Sequence, residues 1–259
     1  MAHDAWDPAQ YERFREERSR PFHDLVALIQ GRRGMRVVDL GCGTGELTRA
    51  LHRRLRAGAT LGLDSSAAML ERARAHASDG LRFEAGDISS FAPEAPLDLV
   101  FSNAALQWLP DHEALLGRLA GHLAPGGQLA VQVPANFDSP SHTVAEEVAG
   151  EEPFAAELDG ARRMPGVLPA EAYAERLHAL GFGEQHVRLQ VYGHLLPARE
   201  DVVEWVKGTL LTHYRARLEG SLFARFEARY RQRLLQRLPD QRPFFFPFKR
   251  ILMWGRRPA

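Results

Sequence analysis

From Met35 to Val133 short apolar runs alternate with stretches of helical periodicity, the pattern of a parallel sheet joined by crossover helices. Strands are expected at 36–40, 60–63, 81–85, 97–102 and 127–133, with helices at 45–56, 66–77 and 111–123 between them. Asp111, after Pro110, reads as an N-cap, and Pro125-Gly126-Gly127 as the turn that closes that helix. Upstream, Pro8–Ile29 reads as one or two amphipathic helices interrupted at Pro21, lying across the opening of the sheet. Past Val133 the alternation breaks. Residues 134–168, punctuated by Pro134, Pro140, Pro153 and Pro165, read as an insertion, and connections that long usually act as lids or binding elements. The pattern resumes with a helix at 170–180 capped by Gly181, a strand at 186–192, helices at 199–213 and 220–238, and a last strand at 248–256.

The expected organisation is N-terminal helices over a crevice (1–30), an α/β core that binds a ligand (31–133), a cap insertion (134–168) and a core helix and strand (169–193). A basic helical cap (194–247) and a final core strand (248–259) complete it.

Composition narrows the class. The chain has 259 residues, 45% apolar and 25% charged, which suits a packed core and excludes disordered or fibrous readings. No apolar run approaches the roughly 18 residues of a membrane span. The start, Met1-Ala-His-Asp-Ala-Trp-Asp-Pro, holds two acids and no apolar stretch, unlike a signal peptide. The single cysteine, Cys42, forms neither an internal disulfide nor a multi-cysteine metal site and favours a reducing cytoplasm. Overall charge cancels, 33 Lys+Arg against 33 Asp+Glu, yet residues 199–259 carry 12 arginines, two lysines and six acids. Interleaved acids and helical spacing there argue against a nucleic-acid surface.

The segment Val37-Val38-Asp39-Leu40-Gly41-Cys42-Gly43-Thr44-Gly45-Glu46 sets three glycines between a strand and a helix, where the backbone turns sharply and a ligand can approach its amides. A dinucleotide fingerprint wants its third glycine at 46, but Glu46 stands there and would repel a pyrophosphate. No Gly-Lys-Ser/Thr follows either. S-adenosylmethionine suits these acids better, because it lacks phosphate and carries cationic sulfonium and ammonium groups. Asp64, closing the second strand, can accept from both ribose hydroxyls, and Asp87, closing the third, from an adenine amino group with Ile88 against the ring. Cys42 reads as a small packing residue, since no base flanks it.

These residues resemble a class I S-adenosylmethionine-dependent methyltransferase, and more narrowly the trans-aconitate 2-methyltransferase family. The segments that carry the resemblance are Trp6-Asp7-Pro8 with Tyr11, Glu17–Pro21, Val38–Gly43, Gly62–Leu70, Ser102-Asn-Ala-Ala-Leu-Gln-Trp-Leu-Pro-Asp-His112, Val131–Pro134, Ser141-His142, Trp205-Val206, Arg229-Tyr230 and Phe246-Pro247. It implies an α/β, Rossmann-like fold with a seven-stranded, mostly parallel sheet of order 3-2-1-4-5-7-6 and helical cap insertions. It implies cofactor positions at Asp39, Gly41, Gly43, Asp64, Ser65, Met69, Asp87, Ile88, Asn103 and Ala104, to which Cys42 and Gly45 belong as loop residues, and Trp108 near the reacting end. The implied reaction esterifies a carboxylate of a small tricarboxylate, trans-aconitate, and the product of the donor is S-adenosylhomocysteine.

Methyl transfer from a sulfonium is an in-line displacement that depends on positioning. A carboxylate nucleophile, with an ordinary pKa of about 4, needs no general base, so no histidine is expected to be essential and no metal is required. His23, His112 and His142 read as structural donors or surface residues. Holding the acceptor calls for arginine forks. Arg20 is the first candidate, and Arg229 with Tyr230, then Arg225, Arg242 and Tyr214, are candidates from the basic helices, with Tyr11 and Trp108 orienting the acceptor. The expected partner is a small-molecule carboxylate, with no nucleic acid, membrane or obligate protein partner. Rival readings are the same chemistry on a carrier-bound malonyl thioester or another small molecule, and a non-catalytic regulator that binds the cofactor.

Overall fold

The computed structural model describes residues 15–159 and 166–259. Seven strands form one sheet in the order β3-β2-β1-β4-β5-β7-β6: β1 (Arg36–Leu40), β2 (Ala59–Asp64), β3 (Leu81–Ala85), β4 (Leu97–Asn103), β5 (Leu123–Pro134), β6 (Glu184–Leu196) and β7 (Phe244–Arg256). The pairs among β1–β5 are parallel, and β7 runs antiparallel to β5. This is the expected order, and each strand falls where its apolar run lies.

Helices α1 (Arg15–Val26), α2 (Glu46–Leu55), α3 (Ala67–Ala73), α4 (His112–Gly121), α5 (Pro140–Ala149), α6 (Phe154–Leu158), α7 (Ala170–Ala179), α8 (Asp201–Lys207), α9 (Thr212–Arg215) and α10 (Gly220–Arg237) connect them. The chain divides into two compact units. Residues 18–135, 166–190 and Arg250–Ala259 make the sheet unit, and residues 136–159 with Val191–Lys249 make the cap unit.

Several boundaries depart from the sequence reading. Pro21 does not interrupt the first helix but lies inside α1. Burial of Phe22 and Leu25 on the sheet compensates for the hydrogen bond that proline cannot donate. Pro125-Gly126-Gly127 does not precede β5; it lies within it. Leu97 pairs with Leu123 and Leu99 already with Gln128, so residues 124–127 bulge out of the ladder, with Gly126 at φ 69°. The region expected as one helix at 199–213 is two, α8 and α9, because the chain turns at Gly208.

Side-chain alternation gives the central strands two buried faces. Val38, Leu40, Val100, Leu129, Val131, Val133, Ile251 and Met253 pack with Leu115, Leu116 and Leu119 of α4 and Tyr173 and Leu177 of α7. On the other face Phe22 of α1 meets Phe101 edge-on at 5.6 Å, and Gln30 exchanges hydrogen bonds with Gln128. Gln128 starts the regular part of β5 and Phe101 lies near the end of β4, so α1 runs back along the sheet and begins near the carboxyl ends of the strands. The cap unit has its own core around Trp205, Phe246, Phe248, Tyr214, Phe226 and Tyr230.

Candidate active site

The three loop glycines have different reasons to be glycine. Gly41 has φ 80°, and a Cβ there would lie 2.2 Å from the Ala105 Cβ. Gly45 has φ 76° and caps α2, where a Cβ would come within 2.8 Å of Ala73 and Phe83. Both are demanded by packing. Gly43, half-buried at φ 53°, has nothing within 4 Å of its would-be Cβ, so that side of its backbone faces open space where a ligand can approach.

Asp64 ties this loop to the end of β2. Its Oδ2 accepts from the Gly43 amide at 2.8 Å and its Oδ1 from the Ser66 amide at 2.9 Å, while Gly41 and Cys42 donate to the Leu63 carbonyl at 2.8 and 3.0 Å. A carboxylate held this way keeps lone pairs for two more donors. Asp39 is buried beneath the loop, where Thr48 Oγ1 donates to its Oδ2 at 2.6 Å. Burial pushes its pKa up to about 7, Thr48 opposes the shift, and the nearby Asp64 charge adds to it. The Cys42 thiol is also buried, and burial first, then Asp39 and Asp64, raises its pKa far above the thiol range, so it stays a protonated packing group.

At the end of β3, Asp87 is exposed and accepts from the Ser89 amide at 2.7 Å, which holds its carboxyl below the usual range. Ile88 packs against the sheet core, its carbonyl gripped by the Arg118 guanidinium at 3.1 Å. Ser65 is exposed, whereas Met69 is buried, with its amide donating to the N-cap Ser66.

Asn103 closes β4 and Ala104 follows at φ 57°, in the left-handed region that a Cβ disfavours. The Ala104 amide donates to the Gln132 carbonyl at 2.9 Å and its carbonyl accepts from Gln107 Nε2 at 2.6 Å, which hold the strained turn. Trp108 ends the following 3-10 turn with 39% of its surface exposed. His112 is fastened at both ring nitrogens, to the Leu106 carbonyl at 2.8 Å and to the Tyr173 hydroxyl. Burial holds its pKa below the usual imidazole range. Arg20 lies exposed on α1. Tyr11 lies outside the described residues.

The candidates from the basic helices are engaged inside the cap unit. Arg229 forms a two-bond pair with Glu151 at 2.6 and 3.2 Å, and this carboxylate's pKa is lowered by that contact. Tyr230 is fully buried and donates to the Ser141 carbonyl at 2.9 Å. Tyr214 is buried and stacks on Phe226 with ring centroids 4.7 Å apart. Arg225 and Arg242 are exposed. The structure therefore shows Arg229 and Tyr230 holding α10 to the α5 region, through the acid of Glu151 and the carbonyl of Ser141.

Residues 37–127 match the family model described as "Methyltransferase domain". A trans-aconitate 2-methyltransferase of Deinococcus radiodurans is 48% identical over 98% of this chain and 98% of its own. This chain belongs to the trans-aconitate 2-methyltransferase family. A second relative of that name, from Methylobacterium nodulans, is 43% identical over 97% of this chain and 98% of its own. Among solved structures, the Haemonchus contortus phosphoethanolamine N-methyltransferase 2 in complex with S-adenosylhomocysteine shares the fold with a TM-score of 0.57 and 18% identity, covering 93% of this chain and 53% of that one. As a member of the family the protein is an S-adenosylmethionine-dependent methyltransferase. The residues fit that cofactor: the open backbone at Gly43, the anchored Asp64 carboxylate and the exposed Asp87 line the carboxyl ends of β1, β2 and β3, and Glu46 stands where a pyrophosphate binder needs glycine.

Sequence reasoning found the acids at the strand ends but missed their supports. Thr48, two residues beyond Glu46 at the start of α2, donates to Asp39, and its place so close to the glycine loop was the available signal. Gln132, a glutamine among apolar residues, was the available signal near the end of β5.

Proposed function

We propose that the protein methylates a carboxylate of a small polycarboxylic acid, trans-aconitate first among them, by base-free in-line displacement. The observation that carries this reading is the 48% identity over nearly the full length to a trans-aconitate 2-methyltransferase. S-adenosylmethionine, when bound, supplies a methyl group on a sulfonium that leaves as a neutral thioether. Asp64 accepts the ribose hydroxyls and Asp87 the adenine amino group, with Ser65, Ile88, Gly41, Cys42 and Gly45 shaping the walls. Asn103 and Ala104 bound the donor's methionine end, and Trp108, with Arg20 and Tyr11, orients the acceptor.

An acceptor carboxylate is already ionised at neutral pH, so the protein has only to place it and keep water away. The double fastening of His112 argues against that histidine as a base, since both its ring nitrogens are engaged. The test is a methyl-transfer screen by product mass over aconitate, isopropylmalate and carrier-bound malonate. Turnover confined to polycarboxylates is expected; turnover of the carrier-bound thioester alone would replace the reading. Asp64→Ala should weaken S-adenosylmethionine binding about 30-fold, from the roughly 2 kcal/mol of a hydrogen-bonded carboxylate, measured by calorimetry.

A further inference from the structure

Gln132 lies fully buried near the carboxyl end of β5, on the sheet face that carries Phe101 and Trp254. Its register partners are Asn103 on β4 and Leu252 on β7, and Arg250, also buried, follows on that same face of β7 opposite Pro134. Arg250 Nη1 donates to Gln132 Oε1 at 3.2 Å. A guanidinium can only donate, so this bond fixes which way the carboxamide points and turns Nε2 away from the arginine. Nε2 then has no hydrogen-bond partner among the described residues, and neither does the Oδ1 of Asn103 across the ladder. Buried polar atoms are seldom left unpaired, because each unmade bond costs the desolvation of the group.

The two unpaired atoms differ in sign. Asn103 Oδ1 is an acceptor and suits a cation; Gln132 Nε2 is a donor and suits an anion. The guanidinium bound to the far end of the amide draws electron density toward Oε1 and makes the N–H a stronger donor. The site also lies directly beside the strained Ala104 turn, whose amide bonds the Gln132 carbonyl.

Resting on the reading above, we propose that Gln132, polarised by Arg250, donates its free N–H to a carboxylate of the methyl acceptor, and so selects anionic acceptors, while Asn103 Oδ1 faces the cationic donor. The test uses Gln132→Leu, which keeps the volume and removes the donor, and Gln132→Glu, which places a negative charge there. With the native protein's preferred polycarboxylate, KM should rise about tenfold in the first and more in the second, in line with a lost hydrogen bond to a charged group, while kcat and S-adenosylhomocysteine affinity by calorimetry stay near native.

Unchanged KM, or a loss of cofactor binding in step with KM, would overturn the proposal and leave the pair a structural element. Should both variants fail to fold, the native protein still decides. The Gln132 side-chain amide resonance in the S-adenosylhomocysteine complex should shift on titration with the polycarboxylate and not with its full amide; no shift would reject the contact. A native protein that methylates no carboxylate at all would instead refute the proposed function, which separates the two failures.

Discussion

The carboxyl ends of the central strands and the helical cap treat charge in opposite ways. In the cap, Glu147 and Glu151 meet Arg229, Arg233 and Arg237, spaced one turn apart along α10, and Lys207 meets Glu204 and Glu227, so the surplus of arginine is largely matched inside its own unit. At the strand ends, burial and then the nearby Asp64 charge raise the cost of ionising Asp39, and Asn103 and Gln132 keep unpaired atoms. The cap pairs most of its charges within itself, although Arg199, Glu200 and His213 each keep one buried atom with no hydrogen-bond partner among the described residues; at the strand ends the unpaired atoms belong to two uncharged amides, Asn103 and Gln132. A cluster of arginines in sequence thus does not by itself reveal an anion site, because acids brought in by the fold can pair with it.

The comparison can be broken most directly at Asp39. Its folded pKa lies about 7 against an ordinary value of 3.8, so the native state retains a proton that the unfolded chain gives up between these values. Stability should fall as pH rises from about 4 to about 7 and level off above, by a few kcal/mol at about 1.4 kcal/mol per unit. Asp39→Asn should abolish that slope, gaining relative stability at pH 8, as denaturant melts at pH 5 and pH 8 will show. A slope unaltered by the substitution would mean that the strand ends store no such cost.

The next effect in size separates packing from access within the loop. Gly41→Ala drives a Cβ into Ala105 at a left-handed φ and should cost about 2–3 kcal/mol in thermal melts. Gly43→Ala meets nothing and should cost only the backbone strain of about 1–2 kcal/mol, yet it should weaken S-adenosylmethionine binding. In the cap, Tyr230→Phe removes one buried hydroxyl bond and should cost about 1 kcal/mol with cofactor affinity unchanged. Arg229→Ala should have the smallest effect, because its pair with Glu151 is solvent-accessible. A large rise in acceptor KM there would assign this arginine to the acceptor.

Much of this was legible beforehand for local reasons. Apolar runs located the strands; three glycines before an acidic residue located the loop and argued against a dinucleotide; Asp111 was recognisable as a cap and does accept from Ala114. What was not legible depended on distant partners. Pro21 reads as a break until Phe22 is seen against Phe101, and the Pro-Gly-Gly turn reads as a helix stop until the β4 register shows a bulge. Likewise nothing local announces that Arg229 and Tyr230 bond Glu151 and Ser141, almost 80 and 90 residues away.

The sequence by itself determined the sheet, its glycine loop and the acids at three strand ends, since periodicity, turn chemistry and spacing act over neighbouring residues. Only the tertiary structure decided which cations are neutralised, which carboxyl is buried enough to hold a proton, and that Gln132 turns its N–H away from Arg250. Those outcomes arise from desolvation and hydrogen bonding between residues that the chain brings together only when it folds.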